Sequence, residues 1–263
     1  MRQIGDFGEI SRLVTAHMKP GVFTNNFITS DQYRAEISSG TLYAHEWDGG
    51  LLFLRKRDGW HLLTFYVHDV EAAPGVELPP DTVTEIAQKP GGAASIAVGF
   101  WEQAGLNPEF ERIRMARSAG SESVPGDHTA HIVREADFDG VLALLNGSFD
   151  PSTGCLPTET ELRDDIMQGN VLCVKDSTVC GVLRTVTRSA SVEIRQLAVR
   201  EDMRGRGVAK SLVQAFVERY GDKKSTVWLI DGNAPALHVY TSAGFALDGW
   251  KSTVLTIKPR EAS

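Results

Sequence analysis

The sequence predicts an α/β protein made of two similar copies in tandem. Three observations carry this. Apolar runs with strand spacing alternate with amphipathic runs of helical spacing along the 263 residues. A small, polar stretch at 118–127 (SAGSESVPGD) contains Pro125 and Gly126 and reads as a linker. The order of elements before it repeats the order after it, and the two copies share a late signature, Trp101-E-Q-A-G-L against Tyr240-T-S-A-G-F. The expected organisation is a first copy at 1–118, a linker at 119–127 and a second copy at 128–263.

The second copy is the clearer one. A short strand is expected at 131–134, then a helix at 136–146 with Phe138, Val141, Leu142 and Leu145 on one face. Asp137 and Asp139 suit its first turn, where the helix dipole favours negative charge. TETELRDDIMQG reads as a second helix, capped near Thr158 and stopped at Gly169. VLCVKD and VCGVLRTVTR form a hairpin around Asp176-Ser177, and SVEIRQLAVR is the next strand. VAKSLVQAFVERYG is an amphipathic helix ending at Gly221, STVWLID a strand, APALHVYTSAG a helix and WKSTVLTI a last strand. In the first copy EISRLVTAHM and TSDQYRAEISSG match the two helices. TLYAHEWDGGLLFLRKR matches the hairpin and HLLTFYVHD the following strand. The stretch from AASIAVGFWEQAGL onward parallels the block that begins at STVWLID.

Composition narrows the function. Hydrophobic content of 42% and charged content of 23% are those of a globular chain that buries its own core. The net charge of -7 argues against a nucleic-acid groove, which needs a basic face. No apolar run approaches a membrane span, and the first residues lack the apolar centre of a secretory signal. Cys155, Cys173 and Cys180 form no C-x-x-C and no zinc-like spacing with histidine, so no metal site is expected. Cys173 and Cys180 read as small buried hydrophobes. A cytoplasmic, reduced protein is expected, with its oligomeric state open.

The informative stretch is EDMRGRGVAKSLVQAF, 201–216. Two arginines and two glycines stand directly before an amphipathic helix. A helix N-terminus presents free N–H groups and partial positive charge, and glycines let an anion approach the main chain. Arg204, Gly205, Arg206, Gly207, Val208 and Ala209 would form such a cradle, with charge-assisted contacts from the arginines. Lys210-Ser211 superficially suggests a nucleotide P-loop, but Ala209 and Arg204 stand where that motif needs glycine. A G-x-G-x-x-G fingerprint fails as well, at Lys210.

The stretch resembles the pyrophosphate-binding motif of the GNAT superfamily of acyl-CoA-dependent N-acyltransferases, [QR]-x-x-G-x-[GA], met by Arg204, Gly207 and Ala209. EIRQLAVR is similar to the family's preceding strand. NAPALHVYTSAGF is similar to its later block through Asn233, Ala236, Val239, Tyr240, Gly244 and Phe245. The resemblance spans about 128–258 and reaches the first half only through the repeat. It implies two tandem GNAT-like domains, each with a mixed, mostly antiparallel sheet flanked by helices, and acetyl-CoA as co-substrate.

By the same resemblance Glu193 is the general base and Tyr240 the acid that protonates the leaving thiolate. Leu197, Ala198 and Val199 meet the pantetheine arm, with the Val199 N–H on the thioester carbonyl. Asn233 contacts the cofactor arm, although an asparagine there also suits a helix cap. Phe149, Asp150 and Glu159 fall where the family lines its acceptor pocket. The expected activity is acetyl transfer to a primary amine of a small metabolite. The alternatives are a protein- or carrier-bound amine, or acyl-CoA binding without turnover. The first copy departs from the motif: HDVEAAPGVELPPD, acidic and proline-rich, stands in place of the cradle, so one working site per chain is expected.

Overall fold

The computed structural model describes residues 1–89, 91–92, 94–121 and 128–257. Most of the predicted linker, 122–127, lies outside the described residues. The first half runs β1 (Arg2–Gln3), α1 (Phe7–His17), β2 (Phe23–Thr24), α2 (Ser30–Ser38), β3 (Leu42–Trp47), β4 (Gly50–Lys56), β5 (His61–Val67), β6 (Thr82–Gln88), α3 (Ala94–Gln103) and β7 (Asn107–Arg117). The second runs β8 (His131–Ile132), α4 (Phe138–Ser148), α5 (Glu159–Met167), β9 (Val171–Lys175), β10 (Val179–Thr187), β11 (Ser191–Val199), α6 (Val208–Tyr220), β12 (Lys224–Ile230), α7 (Ala234–Ser242) and β13 (Ala246–Thr256).

The chain forms two compact units, Met1–Glu111 with Lys251–Ser263, and Arg112–Trp250. The cut therefore does not follow the linker. In the first unit the strands run β1-β3-β4-β5-β6, and β6 then pairs with residues 251–256 of β13. In the second, residues 112–117 of β7 pair with β12, followed by β11-β10-β9-β8. Each unit thus takes one strand from across the linker in sequence. Only β5–β6 and β11–β12 are parallel; every other described pairing is antiparallel. The mixed, mostly antiparallel sheet is as the resemblance implies.

The duplication is visible in matching helix caps. Thr29 and Gln32 form a capping box at α2, and Thr158 and Glu161 form one at α5. One alignment in the repeat needs correction. Residues 94–103 are wholly helical and match α7, whereas the strand corresponding to STVWLID is β6. The alternation in TVTEIAQ is short and lies behind a proline-rich loop, which hides it from a periodicity argument. Residues 68–81 form no helix, and the described residues of the first unit include no counterpart of α6.

In the second unit the sheet has two apolar faces. Leu212, Phe216, Tyr240 and Phe245 cover Leu183, Val192, Ile194, Val227 and Leu229. On the other face Val141, Leu145, Leu162 and Ile166 cover Val171, Cys173 and Val182. Adjacent Val182 and Leu183 belong to opposite clusters, as strand alternation requires. Cys173 and Cys180 are fully buried. Burial, helped by the charge of Asp137, pushes the Cys173 thiol up to about 11 and keeps it protonated.

Gly181 sets how closely α6 approaches β10. A Cβ there would lie 2.5 Å from Val208 Cγ1 and 3.1 Å from Leu212 Cδ1. Gly181→Ala is expected to destabilise the protein by about 1–3 kcal/mol through overpacking. A lower urea midpoint at unchanged slope would show it, and an unshifted midpoint would contradict it.

Candidate active site

The site begins with a parallel pair that comes apart. β11 and β12 are in register only from Ser191↔Lys224 to Ile194↔Val227. Beyond that, β11 continues to Val199 beside β10, and β12 continues to Ile230 beside β7. One edge of β11 from 195 to 199 therefore has no strand partner among the described residues. The Arg200 N–H donates to Cys180 O at 2.9 Å on the β10 side. Successive amides point to opposite edges, so the Val199 N–H faces the open one. Leu197 and Val199 pack against the α6 face, and Ala198 is buried on the other.

The open edge leads straight into the cradle. A 3-10 turn, Glu201–Met203, precedes Arg204–Gly207, and α6 starts at Val208. Gly205 and Gly207 have φ of 74° and 82°, a left-handed conformation that side chains disfavour. Space around both is open, with nothing within 4 Å of an added Cβ. The Ser211 N–H, on Gly207 O at 2.9 Å, makes the first bond of α6. The amides of Val208, Ala209 and Lys210 therefore have no intrahelical partner. Gly207 is the N-cap and supplies no side-chain cap, while Arg204 and Arg206 are exposed. Open glycines, orphan amides and cationic side chains fit a diphosphate.

Tyr240 lies on α7, 3% exposed, with its ring edge-on to Phe245 at 5.6 Å. It shares its apolar cluster with Val208, and Leu197 and Val199 pack against the same cluster. Burial raises its phenol far above the ordinary range, so the proton is retained. Asn233 is the N-cap of α7; its Oδ1 accepts from the Ala236 N–H at 3.1 Å.

Glu193 occupies the opposite side of the sheet because of a bulge. Register passes from Arg184↔Gln196 to Thr185↔Ile194, which leaves Arg195 as the extra residue. The bulge places Glu193 and Gln196, three residues apart, on one face; a regular strand would send them to opposite faces. Glu193 accepts from Arg195 Nη1 at 2.7 Å, and its side chain is 18% exposed. Tyr240 and Glu193 thus lie on opposite faces of the sheet.

The segment after α4 lies on the Glu193 face. Phe149 caps α4 and packs beside Leu145. Asp150 organises the following turn. Its Oδ1 accepts from Ser152 N (3.1 Å), Ser152 Oγ (2.7 Å), Thr153 N (2.9 Å) and Thr153 Oγ1 (3.0 Å). Burial raises its carboxyl, but these bonds outweigh that and hold it below the usual range. Glu159 is the first residue of α5 and is exposed. Gln196 was missed in the sequence, although a lone amide in IRQLAV is a signal for a buried polar contact.

The first unit shows what closes such a cleft. β5 and β6 are in register only at His61↔Thr82 and Leu62↔Val83, so they also diverge. There the chain fills its own gap: β2 pairs with β5 at Phe23↔Val67 and Thr24↔Tyr66. Asn25 bridges both strands. Its Nδ2 donates to Leu63 O (3.2 Å), Thr84 Oγ1 (2.8 Å) and Glu85 O (3.2 Å), and its Oδ1 accepts from Phe65 N at 2.9 Å. The degenerate copy lacks the cradle and also has its gap occupied.

A diverging parallel pair that opens onto a glycine-freed helix start, with a second diverging pair in the first unit, is the arrangement of a tandem GNAT-type fold. Residues 141–245 match the model of the acetyltransferase (GNAT) family. Solved structures agree on the fold. A GCN5-related N-acetyltransferase from Sphaerobacter thermophilus is similar with TM-score 0.63 and 15% identity, over 98% of this chain and 95% of that one. A GNAT-family acetyltransferase from Colwellia psychrerythraea gives 0.56 and 11%, over 98% and 99%. A tandem GNAT protein from the clavulanic acid biosynthesis pathway gives 0.51 and 12%, over 84% and 85%. No curated protein matches the sequence. No helix among the described residues is long and apolar enough to cross a membrane.

Proposed function

We propose that the protein is a cytoplasmic N-acetyltransferase that moves an acetyl group from acetyl-CoA to a primary amine of a small metabolite. The observation that carries this is the continuity of the open β11 edge with the amide cradle at 204–209. Leu197, Ala198 and Val199 hold the pantetheine arm along that edge, and the Val199 N–H polarises the thioester carbonyl. Amides of Gly205 through Ala209, with Arg204 and Arg206, grip the diphosphate. Asn233 adds a contact to the arm with the amide nitrogen that capping leaves over. Acetyl-CoA supplies an activated acyl group, so no nucleophilic residue of the chain is required.

Glu193 takes the proton of the acceptor ammonium, directly or through water, and Arg195 holds its carboxylate in place. Tyr240 gives its hydroxyl proton to the departing sulfur; burial keeps that proton available at neutral pH. Phe149, Asp150 and Glu159 form the acceptor side. Alignment of amine and thioester is the larger part of the rate, and proton transfer the smaller. The test is thiol release from acetyl-CoA across a panel of free amines, peptides and carrier-bound amines. Turnover of free small amines is the expected result. Turnover only of bound amines would change the acceptor class, and binding without turnover would remove the enzyme reading.

A further inference from the structure

We infer that Gln196 is a positioning residue that clamps the acceptor-side loop 149–158 in a strained, preformed shape beside Glu193. The inference rests on the acetyltransferase reading for its kinetic consequence and on geometry alone for the clamp. Gln196 is 2% exposed and uses both ends of its amide. Its Nε2 donates to Gly154 O at 2.9 Å and to Cys155 O at 3.3 Å. Its Oε1 accepts from Arg184 Nη1 at 3.0 Å. Arg184, itself buried, is fixed by Asp165 Oδ2 at 2.6 Å from both Nε and Nη2. A continuous chain therefore runs from Asp165 on α5 through Arg184 on β10 and Gln196 on β11 to the loop carbonyls. A second tether comes from Arg112 Nη2 on Thr153 O.

The clamped backbone is one the chain would not adopt freely. Cys155 has φ of 47°, one of two described non-glycine residues with positive φ. A Cβ at Gly154 would lie 2.6 Å from Asp150 O, so only glycine fits there. Such strain persists where surrounding contacts over-determine it, and Gln196 holds the two carbonyls at this point. The bulge at Arg195 matters here as well. It aligns Gln196 with Glu193, so the residue that sets the loop and the proposed base ride on one short piece of strand. An acceptor amine held by the loop is thereby registered against Glu193.

Gln196→Glu separates the clamp from the fold. A carboxylate keeps and strengthens the pairing with Arg184 but cannot donate, and it repels the carbonyls of Gly154 and Cys155. Amide hydrogen exchange of 149–158 in the intact protein is expected to speed up roughly tenfold or more. Acetyl-CoA affinity is expected to stay within about twofold, while KM for the amine best used by the wild type rises about tenfold. Gln196→Met, which keeps the volume and leaves Arg184 with Asp165, is expected to loosen the loop too. Unchanged loop exchange in both variants overturns the clamp. Faster exchange with unchanged KM overturns its role in placing the acceptor. A wild type that turns over no amine counts against the acetyltransferase reading, and the exchange measurement still decides the clamp.

Discussion

Gly207→Glu is expected to lower acetyl-CoA affinity by about 100-fold or more, with the protein still folded. Two effects act together. Gly207 sits at φ 82°, where a side chain costs about 1–2 kcal/mol in local strain. The new carboxylate would stand at the start of α6, among the amides assigned to the diphosphate, and would both occupy and repel that position. Nothing lies within 4 Å of an added Cβ, so the side chain projects into open space without disturbing the core. Isothermal calorimetry reads the result directly. Gly207→Ala distinguishes the effects, because it keeps the strain and omits the charge. Near-native binding by Gly207→Glu would show that the diphosphate lies elsewhere.

Tyr240→Phe is expected to lower kcat by about 100-fold or more while acetyl-CoA affinity stays nearly constant. The ring is buried against Phe245 and the α6 cluster, and phenylalanine fills the same volume. No described residue accepts from the Tyr240 hydroxyl, so its removal leaves no buried partner behind. The variant should therefore fold as the wild type does and lose only the proton given to sulfur. Single-turnover thiol release, compared with calorimetry, separates the two quantities. Unchanged turnover would remove Tyr240 as the acid, and an equal loss of affinity would make it a binding residue instead.

Much of this was legible in the sequence because the relevant signals are local. Gly205 and Gly207 before an amphipathic run announce the glycine-freed start of α6 without any tertiary information. The Thr-x-x-Glu spacing at Thr158 and Glu161 likewise announces its capping box. The alternation in SVEIRQLAV predicts the central strand. Features that depend on partners distant in sequence were not legible. The bulge at Arg195 is a matter of register with β10, and no residue type forces it, so the shared face of Glu193 and Gln196 could not be read. Asn25 looks like an ordinary loop asparagine until β5 and β6 diverge around it. The reassignment of residues 251–256 to the first unit follows from pairing with β6, which a linear division at the linker cannot anticipate.

One acyl-CoA site per chain is predicted, on the open edge of β11 and the cradle that follows it. Calorimetric titration of the whole protein with acetyl-CoA tests it most directly. Saturable binding with a stoichiometry of one, lost in Gly207→Glu, is the predicted result. No saturable heat, or binding that persists undiminished in that variant, would contradict it.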